Sequence, residues 1–173
     1  MKGTIVKCLE ELVLAKVGRE TWEQCLQDAG MDPAAIIWPM ADIPDAKVLE
    51  VVKAVCKHLR ISLTDAADAF GDHWINVYAP RTYSVYFNRH TTAKGFLLSM
   101  NTVHQEMTRS LANARPPQFQ FEWKNDRTLI MQYTSHRGLL DFVVGLARGV
   151  GRYYREKLVV TKLEPDRVQI VFV

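Results

Sequence analysis

Along the first two thirds of the chain, apolar positions recur at helical spacing. Leu9, Leu12, Val13 and Leu14 make a short amphipathic segment. Arg19 to Ala29 carries Trp22, Cys25 and Leu26 on one face, and Gly30 suits the position just past a helix end. The stretch MDPAAIIWPMADIP holds three prolines and predicts a turn-rich connection. Ala46 to Leu59 repeats the helical pattern, and Ser62 or Thr64 suits the cap of the next helix. That helix places Ala66, Phe70, Trp74 and Tyr78 on one face. A longer helix is predicted from about Ala93 to Leu111, ending before Arg115-Pro116-Pro117, where the backbone must extend.

The period then changes. Phe119, Phe121 and Trp123 alternate with Gln118, Gln120, Glu122 and Lys124, a strand pattern. Asn125-Asp126 predicts a turn, Thr128 to Ser135 a second strand and Leu139 to Tyr154 a helix. A last hairpin, KLVVTKL-EPDR-VQIVFV, completes an α+β fold in which a helical lobe precedes a lobe with an antiparallel sheet and helices.

Composition narrows the class. The chain has 173 residues, 48% hydrophobic and 24% charged, which suits one domain or two small lobes sharing a core. No apolar run approaches the ~20 residues of a membrane-spanning helix. Charged residues interrupt the hydrophobic start and no small-residue cleavage site follows, so a cytoplasmic protein is expected. The net charge of +3 is spread among acids, without the basic stripe that tracks nucleic acid. Cys8, Cys25 and Cys56 form no CxxC, which argues against a disulfide framework or a zinc site. Without CxxCH, any haem would be held non-covalently.

Two features carry candidate chemistry. The apolar stripe Leu97, Met100, position 104, Met107, Leu111 has His104 at its centre. A buried imidazole costs about 1–3 kcal/mol unless its nitrogens find partners, and a metal is one such partner. By itself this pattern fits a core histidine with two hydrogen bonds better than a ligand. The second feature is Tyr133-x-Ser135-x-Arg137. On a strand the three share a face over roughly 13 Å at ~3.3 Å per residue, and offer two hydroxyls and a guanidinium to an anion with several oxygens. Alone, it fits a polar strand face whose Arg pairs with an acid better than an anion site. Asp65, Asp68 and Asp72 read as a solvated helix face, and no nucleophile–base pair can be argued from spacing, so no enzyme is expected.

Together, and in order, these features resemble the H-NOX (haem nitric oxide/oxygen binding) family. The resemblance runs from Met1-Lys2-Gly3-Thr4-Ile5-Val6 through Trp22, Phe70-Gly71, Phe96 to His104 and Pro116-Pro117, to Tyr133-x-Ser135-x-Arg137-Gly138-Leu139 and Gly145-Leu146. It implies b-type haem between a helical lobe of about residues 1–65 and a haem-holding lobe of about 66–173. His104 would be the proximal ligand, Tyr133, Ser135 and Arg137 would hold the propionates, and Pro117 and Ile5 would press on the porphyrin from opposite sides, with Met100 beside it. Asn101 stands where the family usually has an acid. His58, His73, His90 and His136 fall outside the motif and are expected at solvated positions.

The resemblance also implies a ligand. Oxygen-binding relatives use a distal tyrosine where this chain has Phe142, which cannot donate a hydrogen bond. A distal pocket of Ile5, Leu9, Phe142 and Leu146 favours nitric oxide, with CO as a second ligand. Trp74 and Tyr78 each carry a donor, which keeps an oxygen-binding sensor in play beside a haem-free small-ligand module. Release of His104 would carry the signal in trans to a histidine kinase or a cyclic-di-nucleotide enzyme, since no effector domain is expected after Val173.

Overall fold

A computed structural model describes residues 1–109 and 114–173. Helices α1 (Gly3–Val17), α2 (Arg19–Asp28) and α3 (Asp45–Leu59) bury Val6, Leu9 and Val13, then Trp22, Cys25 and Leu26, then Val48, Val51, Val52 and Val55. These are the positions that helical spacing puts on one face, and they close a first core. Gly18, at φ +87°, makes the turn between α1 and α2, a conformation that favours glycine.

Helix α4 (Leu63–His73) starts at the predicted cap. The Ser62 hydroxyl accepts from the Asp65 amide, and the Asp65 carboxylate accepts from the Ser62 amide in return. The helical run then widens into a π turn at Trp74–Tyr78 and continues as α5 (Ala79–Phe87), which the sequence pattern did not reveal. Phe70 and Tyr78 belong to the first core, whereas Ile75 and Ala79 belong to a second, so one continuous run serves both.

The predicted helix from Ala93 is two helices, α6 (Ala93–Leu98) and α7 (Met100–Thr108). Ser99 breaks it. Its hydroxyl donates to the Phe96 carbonyl at 2.7 Å, and its own amide donates to the same oxygen at 3.1 Å, in place of the regular helical bond. Leu111, the expected last turn of that helix, lies outside the described residues.

Strands β1 (Gln118–Asn125), β2 (Thr128–Thr134), β3 (Leu158–Leu163) and β4 (Arg167–Phe172) form an antiparallel sheet of order β1-β2-β4-β3. Phe119 lies opposite Tyr133 in this register. Helix α8 (Leu140–Tyr153) packs on the sheet and against α4. The α4–α8 seam is closed by glycines: a Cβ on Gly145 would stand 2.2 Å from the Ala67 carbonyl oxygen, and one on Gly71 would stand 2.2 Å from the Gly145 backbone. Asp68–Arg148 at 2.6 Å and Asp72–Arg152 at 2.5 Å flank the seam. With Asp65 in the cap, all three expected solvated carboxylates have partners on the protein.

Candidate functional site: a cavity between the two cores

Between the two cores lies a cavity of about 750 Å³. Its walls are mainly apolar, and it is large enough for a drug-sized or cofactor-sized ligand. Of the residues singled out from sequence, Ile5, Trp74, Met100, His104, Pro117, Tyr133, Ser135, Arg137, Phe142 and Leu146 line it. Leu9 and Tyr78 do not. Leu9, 4% exposed, is committed to the first core. Tyr78 is 7% exposed, and its hydroxyl accepts at 3.1 Å from Oγ1 of Thr4, which itself lines the cavity. Across the π turn the aromatic row expected from the sequence persists, with the Trp74 ring stacked on that of Phe70 at 5.8 Å and on that of Tyr78 at 5.4 Å.

His104 stands on α7 with Val103 buried beside it. Its ring lies 5.9 Å from that of Phe119, which lies 5.9 Å from that of Tyr133, so three aromatic rings run from α7 across β1 to β2. Burial pushes the His104 pKa down, and the Pro117 carbonyl works against that shift. Nδ1 is nevertheless buried without a hydrogen bond of sound geometry. The paired hydrogen bonds of an ordinary core histidine are therefore not both made.

At the cavity mouth, the strand expected through Ser135 ends at Thr134, and Arg137 stands in the following turn. Ser135 Oγ accepts from the Arg137 amide at 3.3 Å, and Gly138 at φ +62° completes the reversal. The three motif side chains reach the cavity from a strand end and a turn, not from one strand face. Arg137 Nε donates to Asp45 Oδ2 at 2.8 Å, and one terminal nitrogen donates to the Arg115 carbonyl at 2.7 Å. Asp45 also accepts from the Met1 ammonium at 2.6 Å and pairs with His136 at 3.0 Å. Burial works to raise the Asp45 carboxyl, but hydrogen bonds from the ammonium and His136, with the Arg137 charge, hold it below the usual range.

Sequence reasoning missed Asp45, His136, Tyr83 and Tyr86 at this site. Asp45 begins α3, some ninety positions from its arginine, and no periodicity marks such a pairing. Tyr83 and Tyr86 sit on α5, whose one local signal is Pro80 in its first turn. Of the histidines expected in solvent, His73 is placed otherwise: its Nε2 is buried without a hydrogen bond, 3.5 Å from Glu11. His136 is exposed as expected, and it also lines the cavity.

A family model for haem-NO-binding proteins (HNOB) matches residues 2–162. This chain belongs to the haem-NO-binding family. As such it is a haem-binding gas-sensor domain related to the soluble guanylate cyclases. Soluble guanylate cyclase gcy-32 of Caenorhabditis elegans is 25% identical over 162 residues, 88% of this chain and 23% of its own length. Soluble guanylate cyclase gcy-35 of the same organism is 24% identical over 168 residues, 95% of this chain and 24% of its own. The chain thus spans about a quarter of the length of these relatives.

Solved H-NOX structures share the fold. A Cs H-NOX variant carrying 4-cyano-L-phenylalanine superposes with a TM-score of 0.89 at 24% identity, covering 99% of this chain and 96% of that one. An oxygen-binding H-NOX domain related to soluble guanylate cyclases, in its oxygen complex, gives 0.84 at 24% identity, covering 99% and 95%.

The residues of this H-NOX chain fit haem on their own chemistry. An imidazole with an unsatisfied nitrogen stands in an apolar cavity of porphyrin-like capacity, and two hydroxyls and a guanidinium reach that cavity at its mouth.

Proposed function

We propose that this chain is a haem-based sensor of nitric oxide. His104 would hold the iron, Tyr133, Ser135 and Arg137 would hold the propionates of a non-covalent b-type haem, and Pro117 and Ile5 would bear on its faces. The group would supply a ferrous iron able to bind a diatomic gas.

One observation carries the preference for nitric oxide. Phe142 lines the cavity edge-on to Phe70 at 5.4 Å, beside Leu146, and offers no hydrogen-bond donor. Oxygen draws partial negative charge onto itself when bound and gains from a donor, whereas nitric oxide and CO bind ferrous iron without one. A second reading has its own observation. Trp74 lines the cavity, and an indole N–H is a donor, which supports an oxygen sensor on the same frame. Air exposure of the ferrous protein separates the two: rapid oxidation or no binding is expected, and a stable oxy spectrum would overturn the preference.

Signalling would pass in trans to a histidine kinase or a cyclic-di-nucleotide enzyme. Loss of the His104 tether would free α7 to shift between discrete packings against the rest of the chain. A His104→Gly protein supplied with free imidazole keeps an iron ligand but has no tether, so gas should no longer control the partner. Full control in that variant would refute the tether.

A further inference from the structure

We propose that Asn101 is a positioning residue that pins the helix carrying His104 to the sheet and so fixes how the imidazole is presented to the cavity. The role rests on the reading of His104 as the iron ligand. Asn101 Nδ2 donates to the Phe119 carbonyl at 2.8 Å, and the Phe119 amide donates to Asn101 Oδ1 at 2.9 Å. β1 is an edge strand, so part of its backbone has no strand partner, and the carboxamide takes that place at Phe119.

Two bonds to one residue fix rotation as well as distance. Only a carboxamide can make both, because a carboxylate accepts but cannot donate. Asn101 lies three residues before His104, hence on the same side of α7. The residue it grips is the one whose ring lies 5.9 Å from the His104 ring. Phe119 is also the register partner of Tyr133, so the clamp joins the candidate iron ligand to the strand that leads to the propionate motif. α7 also buries Val103, packs Met100 against the second core, and pairs Glu106 with Arg89 in an exposed bridge. The Nδ2 donor of the carboxamide gives the clamp its second bond.

The test compares ferrous, haem-loaded wild type with Asn101→Ala, Asn101→Asp and Gln132→Ala, using resonance Raman spectra of the iron–histidine stretch. Gln132 pairs with Gln120, one register step from Phe119, and its side chain donates to Asp166 at 3.0 Å, so its loss disturbs the neighbouring sheet without removing either bond of the clamp. The band should shift and broaden in Asn101→Ala, shift less in Asn101→Asp, which keeps the bond from the Phe119 amide, and stay in place in Gln132→Ala. If Asn101→Ala does not fold, Asn101→Asp against Gln132→Ala decides. Asn101 variants that load haem and keep the wild-type band would overturn the clamp. Haem-loaded wild type without the band would instead overturn the reading of His104, and this role with it.

Discussion

Arg137 Nε lies 2.8 Å from Asp45 Oδ2, which ties the turn after β2 to the first residue of α3 across the cavity mouth. A further bond to the Arg115 carbonyl holds the guanidinium in place while leaving one of its terminal nitrogens free of both contacts. On the proposed reading, Asp45 orients Arg137 for a propionate at the mouth. Hydrogen bonds to charged groups contribute about 1.5–3 kcal/mol, so Arg137→Met should speed haem loss by roughly ten- to a hundredfold. Transfer of haem to an acceptor protein measures this, and an unchanged rate would remove Arg137 from the site.

Gly145 and Ala67 touch backbone to backbone, with no room for a methyl group. Gly145→Ala must separate α4 from α8, at a cost of about 1–3 kcal/mol typical of overpacking. The urea midpoint should fall at constant slope. A midpoint equal to wild type would mean that the seam opens freely.

Burial holds His104 below the ordinary histidine value of about 6.5. Below that value the unfolded chain binds a proton that the folded, haem-free chain refuses until a lower pH. Stability therefore rises with pH through this window and is lost as pH falls through it. Asp45, depressed in the fold, loses its contribution lower still, in the carboxylate range. Haem-free His104→Leu should lose less stability than wild type between about pH 7 and about pH 5. Urea midpoints that fall equally in the two proteins would contradict the burial of His104.

Phe142→Tyr adds a hydroxyl to the cavity wall. If that wall faces the bound gas, oxygen affinity should rise by roughly two- to tenfold, the worth of one hydrogen bond, while Trp74→Phe in the same background should lower it. Oxygen equilibrium curves that coincide for wild type and Phe142→Tyr would place the ligand elsewhere in the cavity.

The legible parts of the chain were those whose physics is local. Ser62 announces a helix start, the Phe119-Phe121-Trp123 alternation announces a strand, and the apolar stripe of α8 announces a packed helix. The break at Ser99 was hidden because a serine bonding back to its own turn leaves the apolar stripe intact. The π turn was hidden for a similar reason. Trp74 and Tyr78 keep helical spacing in sequence, and their rings still stack, while the backbone widens beneath them. Asp45 and Asn101 were invisible as site residues because their roles depend on partners brought near only by the fold.

The most direct measurement is the visible absorption spectrum of ferrous protein, wild type and His104→Ala, before and after nitric oxide. Wild type should carry a haem Soret band that moves to a five-coordinate nitrosyl form, and the variant should purify with little haem. Wild type that stays colourless after haem reconstitution, or a variant that keeps haem and responds to nitric oxide as wild type does, would contradict the assignment of His104 as the iron ligand of a gas sensor.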